Sequence, residues 1–383
     1  MQKHQIALSL SGGGVRAVAF HAGVLKWIAE QYRELEQVEY VSSVSGGSLF
    51  MGLVFSKNSL RWPTSQEYLQ SVLPAIRTLL TEKSLQSTAV RNLFLLPVNW
   101  KYIFSRANVL AHIIESLWGV TATMSSLPLS PVWSINGTTG ESGLRFRIKG
   151  PFLGDYDTGY ATIPELKLSI AMAISAAFPV GIGPLSLSTS GLTWSKRKSW
   201  DSAQKVENYV PPYKTLHLYD GGLYDNLGLE PLFDAGTQEM KTQETVKIDR
   251  LIVSDASPPL YKKEIPSILS PFRLKRLIDI ALSQVRALRV RSFVNFIKTH
   301  SGAGMYLRIG EDAFSAICRL GEPESRLVQE LKATHWLSSE EAEKAAHYPT
   351  TLKRMHVRDF DLIVQHGYET AQWNAKLWEA QAT

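Results

Sequence analysis

Three short stretches carry residue types that can do acyl-transfer chemistry. Ser45 stands in Val41-Ser42-Ser43-Val44-Ser45-Gly46-Gly47-Ser48, where an apolar run meets two glycines. Asp220 closes the run Leu216-His217-Leu218-Tyr219 and is followed by Gly221 and Gly222. Upstream of both lies Ser11-Gly12-Gly13-Gly14-Val15-Arg16. A serine hydroxyl is a weak nucleophile until a base takes its proton, and the tetrahedral intermediate that follows needs N–H donors around its negative oxygen. The three stretches supply a candidate for each part.

Glycine tolerates the dihedrals of such a loop and leaves no side chain between backbone N–H groups and an anion. Gly12, Gly13 and Gly14 are therefore oxyanion-hole candidates, with Arg16 adding positive charge nearby. The loop admits a second reading, because Gly12-x-Gly14-x-x-Ala17 also fits the dinucleotide-binding fingerprint. That fingerprint wants an acidic residue at the end of the second strand, where this chain has Val44-Ser45-Gly46. No Gly-Lys-Ser or Gly-Lys-Thr follows, which argues against a P-loop.

Gly46, Gly47 and Ser48 are small enough for a strand and a helix to pass closely, and such a turn lifts the serine hydroxyl clear of the sheet. The usual elbow is Gly-x-Ser-x-Gly; here Ser43 replaces the first glycine. Asp220 is placed at a strand's C-terminal end, the edge where α/β active sites lie. Asp-Gly is also an ordinary turn. An α/β-hydrolase would draw on a late histidine, and His300, His335, His347, His356 and His366 follow Asp220 without a distinctive setting. A nucleophile at residue 45 comes too early for that fold.

The elements that must position these residues follow from periodicity. Ile6 to Leu10 reads as a buried strand. From Ala17 the apolar positions Val18, Ala22, Leu25, Ile28, Ala29 and Tyr32 recur at helical spacing, opposite Lys26, Glu30, Arg33 and Glu34. Val38 to Val44 and Gly46 to Phe55 add a second strand and helix, the opening of a three-layer α/β fold with a parallel sheet. Residues 57–130 read as a mostly helical insertion or lid with breaks at Pro63, Pro74 and Pro97. Within it Leu93 to Trp100 is either core or a lid over an acyl-chain groove. Strands are expected over Val132–Asn136, Leu144–Ile148, Thr215–Tyr219, Leu251–Ser254 and Met305–Ile309. Ile163–Phe178 reads as a helix that Pro179 stops, and Asp361–Trp378 as a terminal helix. Residues 260–383 are mostly helical in pattern, and the whole of 1–383 is expected to form a single domain.

With 44% hydrophobic and 20% charged residues the chain is of ordinary globular composition. One cysteine, Cys318, rules out an internal disulfide framework and fits a reducing compartment. The apolar run before the glycines is too short for a signal-peptide core, so a cytoplasmic location, with membrane association, is expected. Leu168 to Trp194 lacks charge but is interrupted by Pro179, Gly181, Gly183, Pro184 and Gly191, which excludes a membrane-spanning helix there. Residues 272–298 hold seven basic residues against Asp279, an excess equal to the whole chain's +6. Leu274, Leu277, Ala281, Val285, Leu288, Ser292 and Phe296 mark one face of this basic helix. That face is read as packing inward with a solvated basic remainder; docking on anionic headgroups is the second reading. No nucleic-acid motif accompanies it, so no nucleic-acid partner is expected.

Taken in order, Ser11 to Arg16, Ser43 to Gly47 and Asp220 to Gly222 resemble the patatin-like phospholipase family. Ser175-Ala176-Ala177-Phe178-Pro179 is similar to the family's Ser-x-Ala-x-Pro segment, and His366-Gly367-Tyr368 to its C-terminal Gly-Tyr. The resemblance implies a three-layer α/β/α patatin-like fold with a central mostly parallel sheet, a helical insertion and a helical C-terminal extension. It also implies a Ser-Asp dyad without histidine. Ser45 would be acylated by a lipid ester and Asp220 would take its proton and later activate water. The N–H groups of Gly13 and Gly14, in the loop begun by Gly12, would hold the oxyanion. Arg16, Gly46, Gly47, Gly221 and Gly222 would support the site, with no metal and no cofactor. Ser43 and Ala17 are small departures from the family pattern. An aspartate of ordinary pKa, about 3.9, is a poor base in water, so a site dried by acyl chains suits it. The expected function is hydrolysis of fatty acyl esters of phospholipids or lysophospholipids at a membrane surface. A variant reading is a membrane-degrading effector held off by a regulatory partner; a homo-oligomer is a further partner to be considered. The alternative is a catalytically weak binding or regulatory module that holds an anionic ligand in the glycine loop.

Overall fold

In chain order the strands are β1 (Ile6–Leu10), β2 (Val38–Val44), β3 (Val132–Thr139), β4 (Arg145–Lys149), β5 (Phe152–Asp155), β6 (Gly159–Thr162), β7 (Leu185–Ser188), β8 (Trp194–Arg197), β9 (Lys205–Val206), β10 (Thr215–Asp220), β11 (Phe233–Asp234), β12 (Glu239–Met240), β13 (Arg250–Asp255) and β14 (Gly304–Arg308). The helices of seven or more residues are α1 (Gly14–Tyr32), α2 (Gly46–Lys57), α3 (Leu73–Glu82), α4 (Ala107–Trp118), α5 (Leu168–Ser175), α6 (Pro271–Thr299), α7 (Ala313–Arg319), α8 (Arg326–Ala333), α9 (Ser339–His347) and α10 (Val357–Ala382). The computed structural model describes residues 5–32, 34–86, 107–179, 182–197, 205–241, 247–260, 262, 264–267, 270–319 and 326–382. The Leu93 to Trp100 stretch lies outside the described residues.

β1 carries no charge and is buried at every position, as a parallel strand covered on both faces must be. The centre of the sheet is parallel, in the order β14-β13-β1-β2-β3. Beyond β3 it continues antiparallel through β4, β5, β6, β8 and β9, and β10 and β7 are also antiparallel. Strand alternation sends β1 side chains to two cores. Ile6, Leu8 and Leu10 pack with α1, α2 and α10, whereas Ala7 packs with Phe293, Phe296 and Ile297 of α6. Helices thus cover both faces, giving the expected three layers.

The contact of α1 with α10 is backbone to backbone. A Cβ on Gly23 would lie 2.0 Å from the Val364 carbonyl oxygen, and one on Gly367 would lie 2.2 Å from that of Phe20. Gly367 of the C-terminal motif is therefore required by packing. His366 beside it is buried, accepts the Gly310 N–H at 2.8 Å, and is held down to about 4 by that burial, with the charge of Asp312 acting the other way.

Two expectations change. The alanine-rich helix is shorter than Ile163–Phe178, because the carbonyls of Ser175 and Ala177 accept the N–H groups of Gly221 and Asp220 instead of continuing the helix. The stripe expected on the inward face of α6 is only partly inward: Phe296 is buried, but Leu274, Leu277, Val285 and Leu288 are exposed. The face toward the body is Phe293, Phe296 and Ile297, and seven residues before the first two come Arg286 and Arg289. These arginines lie 3.6 Å from Asp255 and 3.7 Å from Asp225, both buried carboxylates. Buried carboxylates need cations more than the core needs more leucine, and this fixes the helix rotation.

Candidate active site

β1 and β2 end side by side, with Leu10 paired to Ser43, so the glycine loop and the serine turn share one edge of the sheet. Ser45 lies between β2 and α2 with φ 51° and ψ −118°. A non-glycine residue with positive φ is strained, and here surrounding contacts hold it. The Ser45 N–H donates to Ser175 Oγ at 2.9 Å. Ser175 in turn donates to the Asn136 carbonyl at 2.7 Å, so its remaining contact, Ser48 Oγ at 2.8 Å, must be a donor to it. Ser43 then donates to Ser48 at 2.8 Å and accepts from the Trp133 indole N–H at 2.8 Å. Every proton in this buried chain has one place to go, and Ser43, the departure from the usual elbow, is a member of it.

The small residues are walls. A Cβ on Gly46 would meet the Gly14 carbonyl oxygen at 2.4 Å, one on Gly47 that of Leu10 at 2.4 Å, and one on Gly221 that of Asn136 at 2.4 Å. At Gly222 it would meet Asn226 Oδ1 at 2.6 Å and Asp220 Oδ1 at 3.0 Å.

Asp220 arrives from the opposite direction. β4 occupies one edge of β3; on the other edge β2 pairs as far as Asn136, and β10 pairs from Thr139 back to Gly137. The ends of β2 and β10 therefore meet head to head. The aspartate does close its strand, but that strand is antiparallel to the core. Its Oδ1 accepts the Gly222 N–H at 2.7 Å, and the Ser45 side chain is close enough to favour the ionised carboxylate. Burial pushes the carboxyl up to about 6, against the Gly222 N–H and the Ser45 hydroxyl, which hold it down. It is a carboxyl group tuned close to neutrality, beside a serine hydroxyl.

In the glycine loop the Gly12 N–H donates to the Asn226 carbonyl at 3.1 Å and the Val15 N–H to that of Thr351 at 3.0 Å. Gly12 is thus removed from the expected set of donors. Between them, the N–H groups of Gly13 (φ 152°) and Gly14 (φ 63°) have no protein acceptor among the described residues. Arg16 is buried and donates to the carbonyls of Ala256 and Tyr348 and to Thr350 Oγ1. Its charge clamps the loop to residues 348–351 instead of facing the cleft.

Several residues at the site escaped sequence reasoning. Asn226 Oδ1 lies between Gly12 and Gly222, and its Nδ2 donates to Ser257 Oγ at 2.8 Å. His21 is fully buried beneath the loop. Its Nε2 must carry the proton, since it faces the Ser11 carbonyl at 2.9 Å, and Nδ1 then accepts from Ser254 Oγ at 2.7 Å. Burial lowers it to about 4, against its bond to Ser11 and the charge of Asp255, so it stays neutral. The late histidines lie elsewhere: His300 contacts the Phe296 carbonyl, His347 that of Glu343, and His366 the Gly310 N–H. Among the described residues no cluster of His, Cys, Asp and Glu is arranged to hold a metal ion.

The chain matches the family model of the patatin-like phospholipases over residues 8–233. No curated protein matches it in sequence. Among solved structures it is similar to human GIVD cytosolic phospholipase A2, with TM-score 0.53 and 14% identity over 100% of this chain and 63% of that one. The same human enzyme in complex with methyl γ-linolenyl fluorophosphonate gives TM-score 0.49 at 15% identity, over 100% and 59%. VipD from Legionella pneumophila gives 0.30 at 12%, over 100% and 87%. This chain spans less than two thirds of the human enzyme's length, and at such identity the likeness is one of fold.

Proposed function

Since the chain belongs to the patatin-like phospholipase family, and is thereby a lipid acyl hydrolase, we propose that it cleaves fatty acyl esters of phospholipids or lysophospholipids at a membrane surface with Ser45 as nucleophile and Asp220 as base. The observation that carries this reading is the meeting of two strand ends that sets the strained Ser45 beside a buried carboxylate raised to about 6. Asp220 takes the hydroxyl proton as Ser45 Oγ bonds to the ester carbonyl carbon. The carbonyl oxygen becomes an oxyanion facing the N–H groups of Gly13 and Gly14, where losing one such donor costs about 3 to 4 kcal/mol of barrier. Collapse breaks the carbon–oxygen bond to the glycerol backbone, and the leaving oxygen takes the proton from Asp220. Water then gives a proton to Asp220 as it attacks the acyl-serine, and collapse releases the fatty acid while Ser45 recovers its proton.

A base near 6 is ionised at neutral pH yet strong enough to matter, provided the site stays dry, and an acyl chain supplies that dryness. Among the described residues no helix is long and apolar enough to cross a membrane.

A fluorophosphonate probe is expected to label Ser45 and no other residue, and Ser45→Ala and Asp220→Asn to lose at least about 1,000-fold in fatty-acid release from phospholipid vesicles. Full activity in either variant overturns the dyad. Absence of both labelling and hydrolysis in the wild type points to a binding module instead.

A further inference from the structure

We propose that the N-terminal half of α6 is an interfacial anchor that seats the enzyme on an anionic phospholipid bilayer, its exposed apolar stripe entering the headgroup layer. The inference rests on the lipid-hydrolase reading only in that docking delivers the substrate.

A Cβ on Gly304, at the start of β14, would lie 3.2 Å from Phe293, and Phe293, Phe296 and Ile297 share a core with Ala7 and Leu251, both near strand beginnings. Arg286 instead reaches Asp255, the last residue of β13. The helix therefore runs against the parallel strands, and at Arg286 it is level with the strand ends where Ser45 lies. Pro271 to Val285 continue past that edge, about 22 Å of helix at roughly 1.5 Å per residue.

One side of this overhang is uncovered, whereas Arg276, on another face, is buried. Phe272 is 68% exposed, Leu274 63%, Leu277 52%, Val285 41% and Leu288 61%. From Leu274 the sequence positions recur every three or four residues through Ala281, which is also exposed, so they form one stripe. In the segment that precedes the helix in sequence, Ile265 is 59% exposed and Leu260 37%. An exposed apolar stripe of this kind on a protein surface marks a contact.

Charge selects the occupant. Arg286, Arg289 and Lys275 are matched by Asp255, by Asp225 with Glu230, and by Asp279. Arg273 and Arg291 flank the stripe, and Lys262 lies three residues before Ile265 in the sequence. A second copy of the chain would oppose cation to cation across the stripe. An anionic bilayer accepts the leucines and attracts the cations together, as interfacial helices require.

The test is flotation with phosphatidylcholine–phosphatidylglycerol vesicles, using the full chain carrying Ser45→Ala so that the lipid survives. Adding Leu274→Ser, Leu277→Ser and Leu288→Ser is expected to weaken binding by about 30-fold or more. Arg273→Gln with Arg291→Gln is expected to weaken it about tenfold, and to change nothing on pure phosphatidylcholine. With Ser45 intact, the triple leucine variant should lose vesicle hydrolysis in proportion while cleaving a soluble short-chain ester at the wild-type rate. Flotation unchanged by the leucine substitutions overturns the anchor. So does a shift from dimer to monomer with vesicle affinity unchanged, which assigns the stripe to a second copy. If the wild type cleaves no ester at all, the proposed chemistry fails while the flotation result still decides the anchor.

Discussion

The serine turn and α6 distribute the same side-chain types in opposite ways. Around Ser45 the polar groups are inside: Ser43, Ser48 and Ser175 are fully buried, each with a fixed hydrogen-bond direction. On α6 the leucines are outside and Arg286 and Arg289 point in. At the turn, backbones approach so closely that residue type is dictated atom by atom. On α6 two buried carboxylates dictate the rotation and the apolar positions take what is left. One region is rigid and specified by contact, the other open and specified by charge.

The widest separation between them is expected in stability. Gly47→Ala places a Cβ 2.4 Å from the Leu10 carbonyl oxygen and 3.0 Å from the Leu10 Cβ, neither of which can yield without moving β1. Backbone overpacking of this kind is expected to cost about 3 to 5 kcal/mol or to prevent folding. Leu277→Ser on α6 should stay within about 0.5 kcal/mol. Urea unfolding of both variants measures the contrast, and an unperturbed Gly47→Ala variant breaks it.

The same contrast explains what was legible in the sequence. The glycine loop, Ser45 and Asp220 stand out because close approach admits only small residues, and smallness is visible in a string of letters. The parallel core from β1 to β3 with β13 and β14 follows from short apolar runs. The partners of the elbow do not announce themselves, since Trp133, Asn136 and Ser175 lie far from Ser45 in the chain and meet it only when β3 and α5 fold beside it. Gly12 reads like its neighbours until the Asn226 carbonyl takes its N–H. Periodicity marks α6 as amphipathic but cannot say which face turns inward, because Asp225 and Asp255 decide that from other elements.

A smaller effect is expected from Asp220, and its sign depends on pH. Burial first, against two hydrogen bonds, raises this carboxyl from 3.8 to about 6 on folding. Between those values the folded chain holds a proton that the unfolded chain has lost. The stability contributed by the neutral form is therefore fully present below about pH 4 and is lost as pH rises through about 6, a change on the order of 3 kcal/mol. Asp220→Asn has no charge to bury, so it should exceed the wild type by about 2 to 3 kcal/mol at pH 8 and match it near pH 4. Hydrolysis moves the other way. As the proposed base, Asp220 acts only when ionised, so kcat/KM of the wild type should rise with pH and reach half its plateau near 6. Equal stability of the two proteins at pH 8 would remove the buried charge from the contrast.

The smallest effect concerns Ser43, and it runs against the sequence pattern. Ser43→Gly restores the residue that the usual elbow carries and removes a side chain from a crowded strand end. Pattern alone predicts a neutral or stabilising change. The hydrogen-bond chain predicts the reverse, because the Trp133 indole N–H would lose its acceptor and the Ser43 proton that fixes Ser48 would be gone. Trp133 is buried, so its donor cannot turn to bulk water, and the cost should be about 1 to 2 kcal/mol. Ser48 would then be free to reverse its proton, which loosens Ser175 and the acceptor of the Ser45 N–H. A fall in kcat of about three- to tenfold with KM unchanged is expected from a misaimed nucleophile. Ser43→Thr keeps the hydroxyl and separates the two contributions: if it retains kcat while Ser43→Gly does not, the hydroxyl aims the serine, and if both lose it, space at the strand end does.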